Sequence, residues 1–245
     1  YTFATRGDRT LVLEIDLPEQ GDAGGPRPFV VYVPGGSWRT CGIGAFRRQS
    51  AYLASQGIAG VRIVYSLVGD GADFSAGLEE LQAARDLVAA RAGELGLDTL
   101  RFGYVAASAG TPLAADEALS QAGCRFFVGY NGIYDLTRRI DGSRFPEEGT
   151  PYLAPFSDGE LRDFSPVNRI GADPPTVALF HGRADRTISW KQSQLFCDAV
   201  RAADGRAEIV LYDDARHGFF NYGKSDYHEE VTRKTAAFIF SVLGE

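Results

Sequence analysis

Ser108 sits in Val105-Ala106-Ala107-Ser108-Ala109-Gly110, where small residues crowd around one hydroxyl between an apolar run and a helical pattern. A serine nucleophile carried on a sharp strand-to-helix turn needs small neighbours on both sides, because the backbone packs tightly there. The usual form is G-x-S-x-G, and this chain has A-x-S-x-G. The same serine is also a residue type that caps helices.

A serine hydroxyl is a weak nucleophile until a base takes its proton, and the chain holds three histidines from which to draw that base. His217, in Asp214-Ala215-Arg216-His217-Gly218-Phe219, follows a predicted strand and precedes the last predicted helix, so it is the candidate. His181 closes an apolar run before Gly182 and reads as a structural histidine beside a turn; His228 opens the last helix and reads as solvent-facing or capping. The acid that orients the base and stabilises its imidazolium is expected at Asp185, just beyond that same apolar run. Asp213 and Asp214 are rivals by closeness in sequence to His217. The order Ser, Asp, His is the order of α/β-hydrolase triads.

A fourth motif, Pro34-Gly35-Gly36-Ser37-Trp38, follows the run Phe29–Val33. Glycines there would let backbone N–H groups approach a carbonyl oxygen on which charge develops; a plain Pro-Gly turn is the simpler reading.

These residues must be held by a scaffold, and the pattern along the chain supplies one. Leu11–Asp16 alternates like a half-exposed strand, and Glu19–Pro28, rich in Gly, Pro and Asp, reads as a loop. Phe29–Val33 is a continuous β-rich run and Ala59–Tyr65 another buried strand, and Arg101–Ala106, Phe126–Tyr130, Thr176–Phe180 and Ala207–Tyr212 read as further strands. Such runs are expected of strands covered on both faces. Between them lie helical patterns at Ala45–Gln56 (ending at Gly57), Ala76–Ala92, from Ser108 to about Ser120, Ser193–Ala203 and Glu229–Leu243. The alternation predicts an α/β class fold: a mostly parallel sheet with helices on both faces and an antiparallel N-terminal edge. From about Asn131 to Asp173 no period holds, and prolines, aromatics and mixed charge replace it. The whole chain, residues 1–245, therefore reads as one α/β domain with a cap-like insertion at about 131–173.

Composition narrows the function classes. A net charge of −7 argues against a nucleic-acid partner, and no apolar run approaches the length of a membrane span. Three scattered cysteines and three histidines lack metal-ligand spacing, and the thiols read as free and mostly buried, with one bridge left open. The chain opens at Tyr1 and contains no Met, so it reads as trimmed or processed. Its compartment stays unassigned: cytoplasmic, or periplasmic or secreted if a signal peptide was removed. Its oligomeric state is equally unassigned.

With PGGSW, AASAG, HGRAD and ARHGF in register across most of its length, the chain resembles the α/β-hydrolase superfamily. It is similar in particular to esterases and lipases of the hormone-sensitive-lipase type and to bacterial acetyl or carbohydrate esterases. Asn131-Gly132-Ile133-Tyr134-Asp135-Leu136 resembles the segment that leads into the cap of such enzymes. The resemblance implies Ser108, Asp185 and His217 as catalytic triad, and Gly36, Ser37 and Ala109 as oxyanion donors. It implies a serine carboxylester hydrolase acting on short-chain esters, preferably acetyl, through an acyl-enzyme, with a small-molecule ester as partner and no cofactor or metal. Trp38, Tyr134, Tyr152 and Phe219 lie on segments expected near the pocket and are candidates for substrate contact. An arylformamidase or small peptidase would use the same triad, and a catalytically silent hydrolase-fold binding protein is the reading from another class. Three departures motivate that last alternative: Pro34 where the family has His, Ala106 for Gly, and Thr111 where a further Gly is common.

Overall fold

Eight strands form one sheet in the order β1-β2-β4-β3-β5-β6-β7-β8, in a computed structural model that describes residues 1–19, 25–137, 140, 144–145 and 151–244. The strands are β1 (Thr2–Arg6), β2 (Arg9–Asp16), β3 (Arg27–Val33), β4 (Ala59–Ile63), β5 (Leu97–Ala107), β6 (Cys124–Tyr130), β7 (Thr176–Gly182) and β8 (Ala207–Tyr212). The pairs β1/β2 and β2/β4 are antiparallel, and every pair from β4 through β8 is parallel. The antiparallel N-terminal edge expected from the sequence is therefore present, as is the largely parallel sheet. The helices are α1 (Arg47–Ala54), α2 (Phe74–Leu95), α3 (Thr111–Ser120), α4 (Asp158–Phe164), α5 (Lys191–Ala202) and α6 (Tyr227–Leu243).

The continuous apolar runs work as they must in a doubly covered sheet, where successive side chains point to opposite faces. In β3, Val31 and Val33 join one core with Leu81 and Val88 of α2, Leu113 of α3 and Phe196 of α5. Val30 and Tyr32 join the other, with Leu53 of α1 and Val231 and Ile239 of α6. A charged residue interrupts β4: Arg62 is buried, and its guanidinium reaches Asp16 at 2.7 Å and Glu14 at 2.6 Å on neighbouring β2. That pairing explains why an apolar strand tolerates a cation. Removing one partner of a buried pair would leave the other charge uncompensated.

Two elements went unanticipated. β1 pairs with β2 across the two-residue turn Gly7-Asp8, Arg6 standing opposite Arg9, and Gly7 takes the positive φ of 55° that such a turn requires. Helix α4 lies within the aperiodic stretch. Its signal was a capping box: the Ser157 hydroxyl accepts from Glu160 N, and the Glu160 carboxylate accepts from Ser157 N at 2.8 Å. The expected loop at Glu19–Pro28 lies in large part outside the described residues, and so do residues 138–139, 141–143 and 146–150 of the expected insertion. All three cysteines are free, Cys197 buried and Cys41 and Cys124 half-buried.

Phe196 of α5 stacks on Tyr134 at 4.5 Å between ring centroids and meets Phe127 edge-on. Replacing Phe196 by Ala should lower unfolding free energy by about 3–5 kcal/mol, read from urea denaturation; a loss within the error of such measurements would show that this stacked cluster does not hold α5 to the sheet.

Candidate active site

The parallel strands all end at one edge, and the chemistry-bearing residues emerge there, as they do in open α/β sheets generally. Ser108 follows the last residue of β5, in a single turn of 3-10 helix that leads into α3. Its φ of 49° places a non-glycine residue in the left-handed region, the strained turn that lifts a nucleophile clear of its strand. The small neighbours are explained by contact. A Cβ at Gly110 would run into the carbonyls of Pro34 and Val33, and one at Gly35 would lie 2.8 Å from the Ser108 Cβ.

His217 comes from the loop between β8 and α6. Its Nε2 lies 3.0 Å from Ser108 Oγ, and its Nδ1 lies 2.7 Å from Asp185 Oδ2. A carboxylate only accepts, so Nδ1 donates to Asp185, which leaves Nε2 of the neutral ring free to accept the serine proton. Asp185, on the loop after β7, is buried. Its Oδ1 accepts from the backbone N–H groups of Thr187 at 2.8 Å and Ile188 at 3.0 Å. Its Oδ2 accepts from Asn131 Nδ2 at 2.6 Å as well as from His217. Burial works against ionisation of this carboxyl, but the hydrogen bonds from His181 and His217 outweigh it and hold the group below the ordinary aspartate range.

The rivals resolve by geometry. Asp213 pairs with Arg183 at 3.0 Å, and Asp214 accepts from the Tyr227 hydroxyl. His181 is fully buried; its Nε2 donates to the Ile188 carbonyl at 3.0 Å, and its Nδ1 lies 2.7 Å from Ser193 Oγ, the structural role expected of it. His228, expected at the surface or as a cap, is instead buried, and its Nδ1 donates to the Phe220 carbonyl at 2.8 Å.

A cavity of about 420 Å³ opens on Ser108 and His217, lined also by Ser37, Trp38, Ala109, Ile133, Phe145 and Ile188. Gly36 borders an adjoining hollow that shares Ser37, Ser108 and His217. Gly36 has a φ of 131°, and a Cβ there would collide with the Thr40 carbonyl, so the position needs glycine. Of the four aromatics expected to meet substrate, the structure brings Trp38 to the cavity. Tyr134, Tyr152 and Phe219 do not line it: Tyr134 stacks on Phe196, Tyr152 stacks beneath Trp38 at 5.2 Å, and Phe219 packs against Tyr212. Each is the apolar body of a core cluster. Lying on the right segment is not the same as pointing at the pocket. Among the described residues no group of His, Cys, Asp and Glu side chains comes together as a metal site.

Residues outside the motifs complete the frame. Thr111 Oγ1 donates to the Ser108 carbonyl at 2.6 Å and accepts from Ile133 N at 2.8 Å, which gives the Thr in place of Gly a physical reason. Gln192 of α5 accepts through Oε1 from Tyr134 N and Asp135 N and donates through Nε2 to the Asp135 carbonyl, fixing the segment after β6. Tyr65 donates to the Pro34 carbonyl at 2.8 Å. Their types are ordinary, and the signal for each lies in a tertiary partner rather than in local spacing.

The sheet and the Ser–His–Asp arrangement at its edge define the α/β-hydrolase fold of the esterase and lipase type. The family model described as BD-FAE matches residues 13–135, half of the chain, and the chain belongs to that family. A second model, the dienelactone hydrolase family, matches residues 165–245. Among curated proteins the chain is 28% identical over 258 residues to the isoprenylcysteine alpha-carbonyl methylesterase ICME of Arabidopsis thaliana, covering 89% of this chain and 58% of that protein. It thus spans little more than half the length of that relative. Among solved structures it is similar to Thermogutta terrifontis esterase 2 phosphonylated by sarin, at a TM-score of 0.86 and 23% identity over 97% of this chain and 92% of the other. The butyrate-bound form of that esterase gives a TM-score of 0.81 and 25% identity over 99% and 93%. No helix among the described residues is long and apolar enough to cross a membrane.

A carboxyl whose folded pKa lies below its unfolded value adds stability above that unfolded value, near 3.8, and loses it as pH falls toward the folded one. The urea midpoint of the wild type should therefore fall more steeply below about pH 5 than that of Asp185→Asn. Parallel curves would mean that Asp185 is not held ionised by its neighbours.

Proposed function

We propose that the chain is a serine carboxylester hydrolase acting on short-chain esters, acetyl esters foremost, through an acyl-enzyme. The observation that carries the reading is the unbroken path from Ser108 Oγ through His217 to Asp185, with contacts of 3.0 and 2.7 Å, opening on an ester-sized cavity. Membership of the BD-FAE family and similarity to proteins described as esterases support it. A sarin-phosphonylated structure of similar fold supports it too, since such reagents attach to an activated nucleophile.

In this reading Ser108 Oγ attacks the ester carbonyl carbon while its proton passes to His217 Nε2, and the carbonyl electrons move onto oxygen. The N–H groups of Gly36, Ser37 and Ala109 receive that oxyanion. Asp185 stays ionised and stabilises the imidazolium across Nδ1. Collapse breaks the bond to the leaving alcohol, which takes the proton from His217. A water molecule then gives its proton to His217 and attacks the acyl carbon, and Ser108 departs with that proton. The walls formed by Ile133, Ile188, Trp38 and Phe145 suit a compact acyl group and favour acetate over long chains. Ile133 and Phe145, both from the expected insertion, stand in the wall of this cavity, which supports reading the insertion as a cap.

Initial rates on p-nitrophenyl acetate at mildly alkaline pH test the reading. Wild type should turn over, Ser108→Ala should drop to background, and Asp185→Asn should lose on the order of 10⁴-fold in kcat. Equal activity in wild type and Ser108→Ala would remove the serine from the chemistry, and no activity in either would return the chain to a binding role.

A further inference from the structure

Charge is distributed unevenly around the proposed active site. The chain carries a net charge of −7, and some of its arginines elsewhere are matched by carboxylates: Arg6 with Glu80, Arg9 with Asp70, Arg85 with Glu117, Arg169 with Asp116. Arg39 and Arg144 both line the cavity, no Asp or Glu among the described residues does, and Asp185 lies behind His217 and is fully engaged. Both arginines are exposed. Among the described residues neither guanidinium has a carboxylate within ion-pair reach.

Both residues are anchored at the backbone. Arg39 follows the glycine loop, its N–H donating to the Gly36 carbonyl at 2.9 Å. Arg144 is tied to the loop beyond Asp185, its N–H lying 3.1 Å from the Arg186 carbonyl and 3.2 Å from that of Thr187. Their chain neighbours Trp38 and Phe145 line the same cavity as an apolar wall, ring centroids 6.3 Å apart. A guanidinium presents a planar set of donors matched to a carboxylate. An unpaired pair of them beside an apolar wall selects a ligand that is apolar in the middle and anionic at its end.

We propose that the site selects esters bearing a free carboxylate, with Arg39 and Arg144 as the groups that recognise it. This rests on the esterase reading for the reaction itself but makes a separate claim about charge.

The test compares 4-acetoxybenzoate with methyl 4-acetoxybenzoate. The two share the acetyl group and the ring and differ in charge. The free carboxylate makes the phenol a poorer leaving group, so a preference for the anion cannot arise from intrinsic reactivity. Wild type should favour the anion in kcat/KM by about tenfold or more, and Arg39→Gln or Arg144→Gln should each reduce that ratio by about tenfold, the size of one charge-assisted hydrogen bond. Both positions are exposed, and an unchanged thermal midpoint will show that the variants fold. A wild-type ratio of one or below, or a ratio that neither substitution moves, overturns the proposal while leaving the esterase reading intact. If neither ester is hydrolysed in a Ser108-dependent manner, the esterase reading fails instead. Calorimetric binding of 4-acetoxybenzoate to Ser108→Ala protein then decides the charge question: binding about tenfold weaker on adding Arg39→Gln supports it, and equal binding of the anion and its methyl ester overturns it.

Discussion

The buried carboxylate of Asp185 is the constraint around which the rest of the site is arranged. A charge removed from water must find its solvation in the protein, and here the donors arrive from separate parts of the chain: two backbone N–H groups of its own loop, the Asn131 amide beyond β6, and the His217 ring beyond β8. Bringing those segments together on one carboxylate requires β6, β7 and β8 to lie side by side and to end at the same edge, which parallel pairing achieves. His181 adds to the shell from the end of β7 itself, 3.4 Å from Oδ2. The fold and the ionised acid therefore depend on one another.

At the other end of the hydrogen-bond path, geometry is secured by crowding rather than by charge. Ser108 occupies a left-handed conformation that a non-glycine residue adopts only when its surroundings hold it there. Those surroundings are close backbone approaches: Gly110 against the Pro34 carbonyl, and Gly35 against Ser108. The glycine loop, including Pro34 in place of the histidine that such hydrolases usually carry, is held in turn by the Tyr65 hydroxyl. Its proline is thus accommodated by a hydrogen bond to its carbonyl.

Much of this was legible in the sequence because buried parallel strands leave a strong mark. The runs around Phe29–Val33, Phe126–Tyr130 and Thr176–Phe180 are almost wholly apolar, and the structure extends each by only a few residues. Ser108, Asp185 and His217 follow from residue type, order and placement after those runs, and the structure brings their side chains into contact. The failures have a common cause. β1 is half-exposed and depends on its pairing with β2, and α4 is too short to show a period. The directions of Tyr134, Tyr152 and Phe219 are set by which face of the backbone meets the core, a tertiary fact that segment position does not encode. Asn131, Thr111 and Gln192 are recognisable only once their distant partners are known.

The Thr111 hydroxyl carries a further consequence. It holds the carbonyl oxygen of Ser108 at 2.6 Å, and that oxygen belongs to the same rigid, planar peptide unit as the N–H of Ala109. Carbonyl and N–H project from opposite sides of a trans peptide, so clamping one aims the other. Thr111 therefore acts as a rudder on the Ser108–Ala109 peptide plane, and through its second bond to Ile133 N the rudder is lashed to the segment that follows β6. An N–H aimed in this way has its direction set by the fold itself.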